Sequence, residues 1–190
     1  MDGVPSCTLV GTVKDEGPYL LEWISYYKMI GFAQIFVASN DSQDMTREIL
    51  DTLDAAGEIT HLENSQHIKG EPEDPQNRAY QRFWKMKPIR RSDWILVADA
   101  DEFLNIHAGD GSLAALFAGL KARGAGDADV LSATWRVFGN GGVTQFEDEP
   151  IIAQFTRSAP PGPQRIQRYT AFKTMFRPHG VRRLSVHRPK

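Results

Sequence analysis

The 190-residue chain has a single cysteine, Cys7. This excludes an internal disulfide framework and any thiolate metal cluster, and it suits a reducing compartment. Neither sign of charge dominates: 22 Lys and Arg against 24 Asp and Glu leave a net charge of -2. Electrostatics therefore gives no case for nucleic acid or an anionic membrane as the main partner. No apolar run approaches the roughly 20 residues of a membrane span, and the N-terminus lacks the basic, apolar, small-residue order of a signal peptide. The expected location is cytoplasmic, with no integral membrane segment. There is no internal repeat, and low complexity is confined to "SAPPGPQ", Ser158 to Gln164, which reads as a flexible connector. The 41% hydrophobic content is enough for one well-buried domain.

Strand and helix signals alternate along the chain. "CTLVGTV", Cys7 to Val13, is β-rich and breaks at Gly17 and Pro18. From Pro18, Leu20, Trp23, Ile24, Tyr27 and Ile30 follow helical spacing, and Gly31 suits the C-terminal cap. A strand is expected over Ala33 to Ser39. A helix capped by Ser42 or Asp44 and closed by Gly57 follows, then a third strand in "EITHLE". Residues 64–75 are charged and aperiodic, a long loop of the kind that is usually functional or mobile. A helix from Pro75 is expected to stop at Pro88. Next come a strand in "DWILVADADEF", a helix in "SLAALFAGLKARG", a strand in "ADVLSATWRVFG" and two short late strands, "FKTMFRP" and "RLSVH". This alternation predicts one α/β domain with a mostly parallel central sheet flanked by helices.

The stretch Asp93 to Phe103 drives an apolar run into Asp99, Asp101 and Glu102. Two like charges about 4 Å apart repel by roughly 4 kcal/mol at an effective dielectric near 20, so something should compensate them. In extended chain, residues two apart point the same way, which lets Asp99 and Asp101 reach one point at the strand end. Hard cations such as Mg²⁺ or Mn²⁺ favour such carboxylates, commonly one or two of them plus a substrate diphosphate. The alternative is a solvated strand end or a cap for the next element. Against it, Phe103 and Leu104 resume apolar sequence at once, so the acids sit between buried segments.

The order "VKDEGPYLLEWISYYKMIGF", "NDSQDMTREIL", "WILVADADEF", "WRVFGNGG" and "FKTMFRPHGVRRLSVHRP" resembles the glycosyltransferase family 2-like proteins of the GT-A fold, in particular their Asp-x-Asp-Glu-Phe branch. The resemblance implies a Rossmann-like GT-A domain over residues 1–190. Within it, 1–104 would form the nucleotide-sugar half and 105–190 the acceptor side. The chain ends three residues after His187, where members of the family usually run on, so the acceptor half is expected to be minimal, shared or shortened. The resemblance further implies a nucleotide-sugar donor, a UDP-sugar first, and a glycan, lipid-linked or other hydroxyl acceptor. Thr12, Val13, Lys14 and Glu16 would hold base and ribose, with Asp15 standing where the family more often has Asn. Asn40 and Asp41 would read the base edge. Arg78, beside Asn77 and Gln76, would approach the diphosphate, or else pair as a helix charge with Glu71 or Asp74. Asp101 would ligate Mn²⁺ or Mg²⁺ directly, Asp99 would touch both metal and sugar or ribose, and His187 would add a ligand. His61, His67, His107 and His179 show no interpretable spacing.

The implied chemistry is an inverting displacement in which a carboxylate base deprotonates the acceptor. Glu147 and Asp148, with Glu149 in "QFEDEP", and Glu102 are the candidates, although "FEDEP" also suits a surface acidic turn. "FGNGG" makes a tight turn that lets sugar or acceptor approach closely, or is a plain hairpin turn. A haloacid dehalogenase-type phosphotransferase would need Thr or Val where Phe103 stands, and a nucleotidyltransferase would need a glycine-rich first loop that "VKDEGPY" lacks. A non-catalytic nucleotide- or carbohydrate-binding module on the same fold is the remaining alternative.

Overall fold

The computed structural model describes residues 3–158 and 171–190. Most of the predicted connector, from residue 159 onward, lies outside the described residues. Strands β1 (Cys7–Val13), β2 (Gln34–Ser39), β3 (Thr60–Glu63), β4 (Trp94–Val97), β5 (Val130–Thr134) and β6 (Phe172–Phe176) form one sheet in the order β3-β2-β1-β4-β6-β5. Pairing is parallel from β3 through β4, while β6 runs antiparallel to both β4 and β5. The expected α/β architecture with a mostly parallel sheet is present.

β1, β2 and β4 are largely buried on both faces because helices cover both, whereas the edge strand β3 is only partly buried. Cys7, Leu9 and Val13 of β1 and Trp94 and Leu96 of β4 pack with α1 (Gly17–Ile30), α2 (Thr46–Ala55) and α5 (Leu113–Ala122). The alternate residues Val10, Ile95 and Val97 pack with α3 (Pro75–Lys85), the short α4 (Lys87–Arg91) and Phe176 of β6. Helix α1 ends where Gly31, at φ 111°, takes the left-handed conformation that returns its N–H to Lys28 and the next to Tyr27. Buried at the start of β1, the Cys7 thiol is pushed up to about 12, first by burial and then by Asp93, which leaves it inert as a nucleophile.

Three sequence expectations fail. Pro88 does not simply stop a helix: α3 ends at Lys85, and Pro88 sits in the first turn of α4, where its missing N–H has no partner to lose. "RLSVH" is not a strand. The tail closes on itself instead, with backbone bonds between Arg183 and Lys190 in both directions. The third is that the chain is not extended through Asp99 and Asp101: "DWILVADADEF" pairs only through Val97, and the acids, at the carboxyl end of a central strand as expected, occupy the turn that follows, so strand alternation does not align them. A further element, α6 (Ile151–Gln154), has no periodic signal in four residues.

Strand order reverses between β1 and β4, because β2 and β3 extend from one side of β1 while β4 lies on the other. Ligands of open α/β sheets bind in the crevice at the carboxyl ends of such a pair. Thr12 to Glu16 leave β1, and Asp99 to Glu102 leave β4, at that crevice.

Candidate functional site

The loop after β4 is tied to α1 through its backbone. Glu102 O accepts from Trp23 Nε1 at 3.1 Å and from the Tyr27 hydroxyl at 3.1 Å. That hydroxyl also accepts from Leu104 N at 3.2 Å, and Tyr26 donates to Leu104 O at 2.9 Å. Phe103 stacks edge-on against Tyr26 with ring centroids 5.2 Å apart. The helical spacing of Trp23, Tyr26 and Tyr27 therefore fixes the carboxylate turn as well as the core. Gly11 makes this possible: Trp23 lies so close across β1 that a Cβ on Gly11 would meet its ring at 2.8 Å.

The carboxylates divide into two environments. Lys173 on β6 is 5% exposed, and its Nζ lies 2.9 Å from Asp99 Oδ2 and 3.0 Å from Glu102 Oε2. Glu102 Oε2 also accepts the Asp99 N–H at 2.9 Å. Burial raises the Glu102 carboxyl above its usual range even with Lys173 beside it. Asp101, by contrast, is exposed and makes no ion pair among the described residues. Glu16, half-buried at the start of α1, titrates above the usual range, first through burial and then through Asp101, Asp44, Asp15 and Asp99. This end of the sheet thus concentrates negative charge, and among the described residues the exposed Asp101 has no ion-pair partner.

Asp44 joins the two loops on the β1 and β2 side. Its carboxylate accepts from Gly17 N at 3.0 Å and from Thr46 N at 2.9 Å, serving the first turns of α1 and α2 together. Asp15, at φ 55°, accepts from Gln43 N at 2.6 Å, and Glu16 N donates to Thr46 Oγ1 at 2.8 Å. Val13 is buried, Lys14 is exposed, and Thr12 Oγ1 accepts from Gln76 Nε2 at 3.2 Å. Asn40 is half-buried. Asp41, at φ 48°, donates its N–H to Ser65 Oγ at 2.9 Å, which ties the turn after β2 to the loop that begins at Asn64.

Arg78 is 3% exposed, and its guanidinium donates to the carbonyls of Pro72, Glu73 and Asn64 at 3.3, 3.0 and 2.9 Å. Its charge serves loop 64–75. Arg82 is the residue that pairs with Glu71, while Asp74 caps α3 through Asn77 N. His187 is exposed, with its ring 5.5 Å edge-on from Trp135, just past the end of β5. The antiparallel register puts that end of β5 and the start of β6 on the same edge as Asp99. Glu147, Asp148 and Glu149 are exposed in the turn before α6, whose Ile151 and Ile152 amides donate to Glu22 of α1 at 2.6 and 3.1 Å.

Sequence reasoning missed Lys173 and the environment of His61. A lysine between Phe172 and Thr174 in a strand pattern was the available signal, since lysine is almost never buried unpaired. His61 Nδ1 meets Asp51 Oδ1 at 2.7 Å and its Nε2 meets Ser39 Oγ at 2.9 Å. The arrangement has the connectivity of a nucleophilic relay, but Ser39 is 1% exposed and no substrate carbonyl can approach it. It braces β2 against β3.

Among the described residues, no group of three His, Cys, Asp or Glu side chains converges as a metal cage, and no helix is long and apolar enough to cross a membrane. No curated protein matches the chain. The solved structure of S. aureus TarS 1-349 is similar at 17% identity, covering 91% of this chain and 47% of that one, with a TM-score of 0.49. The same fragment in complex with UDP-GlcNAc is similar at 17% identity over 74% of this chain and 37% of that one, with a TM-score of 0.46. Glucosyl-3-phosphoglycerate synthase from Mycobacterium tuberculosis, in complex with Mn²⁺, UDP and glucosyl-3-phosphoglycerate, is similar at 13% identity over 66% of this chain and 42% of that one, with a TM-score of 0.41. The chain spans less than half the length of each of these structures. Residues 7–190 match the model of glycosyltransferase family 92, and the chain belongs to that family.

Proposed function

We propose that this chain forms a GT-A-type donor domain that moves a hexosyl unit from a nucleotide sugar, with UDP as the preferred nucleotide, to a hydroxyl acceptor with inversion, in the cytoplasm. The observation that carries this reading is the position of Asp99 and Asp101 at the carboxyl end of β4, beside the end of β1 and at the reversal of strand order. The finer likeness to the Asp-x-Asp-Glu-Phe branch of family 2 enters as a guide to residue roles within that site.

The donor set fits Mn²⁺ or Mg²⁺. Asp99 and Asp101 would hold such an ion through hard oxygen atoms, with diphosphate and water completing its ligands, the usual arrangement for such ions. An ion held there would supply positive charge to a departing diphosphate. His187, exposed on the same sheet edge, is read as a late additional ligand. Thr12, Val13, Lys14 and Glu16 border the nucleoside from β1, and Asn40 and Asp41 border it from β2. Arg78 acts on the donor by fixing the loop that carries Asn64 and Ser65 and the helix start that carries Gln76. Glu102 is poorly suited to be the base, because its carboxylate already accepts from Lys173 and the Asp99 amide. The exposed acids Glu147 and Asp148 remain the candidates for taking the acceptor proton, 105–190 being the acceptor side.

A donor-hydrolysis assay tests the reading. Incubation with UDP-sugars and Mn²⁺ is expected to release free sugar slowly as water replaces the acceptor. Nucleotide binding with no sugar released from any donor would instead make the chain a binding module.

A further inference from the structure

We propose that Lys173 is a positioning residue that serves as the resident counter-ion of the acidic turn and makes metal binding depend on the nucleotide. The inference rests on the donor-site reading above and goes beyond it. The Lys173 ammonium is nearly sealed from water and lies within 3.0 Å of carboxylate oxygens of both Asp99 and Glu102. It answers the charge problem raised by three acids in four positions. An unpaired ammonium or carboxylate at that depth would be strongly destabilising, whereas the paired set is tolerated.

The pairing has a consequence for a divalent cation. With Asp99 Oδ2 committed to Lys173, the turn presents one carboxylate that is uncommitted among the described residues, Asp101, and one that is shared. Such a pair binds a free divalent ion weakly, because the ammonium repels it from the same oxygens. A nucleoside diphosphate reverses the balance, since its oxygens add anionic ligands and are attracted by the same ammonium. Metal and nucleotide therefore enter as a complex or bind with strong positive coupling. Because coupling is reciprocal, Mn²⁺ tightens UDP by the same factor by which UDP tightens Mn²⁺.

Lys173 also reaches the turn from the other half of the molecule. It stands on β6, which pairs with β5, and Phe172 beside it carries the Arg188 guanidinium 4.6 Å over its ring. The state of the acidic turn is thereby tied to the strand pair and C-terminal segment on the far side of the crevice.

The test is a set of calorimetric titrations with Mn²⁺ alone, UDP alone and Mn²⁺ in saturating UDP, on the wild-type chain, Lys173→Arg and Lys173→Met. The wild type is expected to bind Mn²⁺ far more tightly with UDP than without. Lys173→Met is expected to bind Mn²⁺ alone at least about tenfold more tightly, a step of about 1.4 kcal/mol, and to lose most of the coupling. Lys173→Arg, which keeps the charge, should retain it. If Lys173→Met fails to fold by circular dichroism, Lys173→Met/Glu102→Gln removes the buried pair together and takes its place. Unchanged affinity for free Mn²⁺ in the neutral variant would overturn the proposal. Metal-independent UDP binding in the wild type would instead overturn the metal site itself, and the two failures are distinguishable.

Discussion

Trp23 and Glu102 are 79 residues apart in sequence and are joined by an indole N–H donated to a backbone carbonyl at 3.1 Å. That bond holds the carboxylate turn against α1, and it depends on Gly11 leaving room for the ring. Gly11→Ala should therefore destabilise the fold by about 1–3 kcal/mol, the usual range for overpacking a tight core. It should also weaken nucleotide binding in the molecules that remain folded. Chemical denaturation alongside UDP titration checks both effects, and normal UDP affinity would show that the turn does not depend on Trp23.

Tyr27 contributes a hydroxyl that bridges Glu102 O and Leu104 N. Tyr27→Phe leaves the Leu104 amide without this partner, for a loss of about 1–3 kcal/mol. Urea denaturation should show a lower midpoint with an unchanged slope, and hydrogen exchange at Leu104 should accelerate more than exchange in β1.

For Arg78, the expected effect is on stability first. Arg78→Met leaves three loop carbonyls without their donor and should cost about 2–4 kcal/mol, the sum expected for several bonds to a charged group less relaxation. Limited proteolysis should then cut within residues 64–75. A variant of normal stability with a large loss of UDP affinity would assign the guanidinium to the diphosphate instead.

Much of this was legible in the sequence because it is local. β1, β2 and β4 are largely buried strands bounded by Gly, Pro and polar residues, and α1 and α3 carry their own caps and periodicity. What was not legible depends on distant pairing. Nothing near Lys173 announces that the antiparallel register of β6 on β4 brings it to Asp99. The burial of Arg78 depends on the path of an aperiodic loop. "RLSVH" has strand composition, yet it joins no strand of the sheet among the described residues, and Arg183 pairs instead with Lys190.

Glu16 supplies a pH test. Its carboxyl is raised, first by burial and then by Asp101, so the folded state holds its proton more tightly than the unfolded chain does. Its contribution is thus favourable at low pH and is lost as pH rises through the raised value. Glu16→Gln should raise the urea midpoint at pH 7, and the gain should vanish as pH falls below the ordinary glutamate value of about 4.3. A gain that persisted at low pH would show that charge is not its origin.

The central claim is that the Asp99 and Asp101 turn holds a metal against a nucleotide diphosphate. It is tested most directly by titrating nucleoside diphosphates into the wild-type chain and Asp101→Asn, with and without Mn²⁺. The exchanged side chain is exposed and of the same shape, so the fold should survive. The prediction is that Mn²⁺ strengthens UDP binding in the wild type and loses that effect in the variant. Equal binding of every nucleotide regardless of Mn²⁺, or full Mn²⁺ dependence in Asp101→Asn, would contradict it.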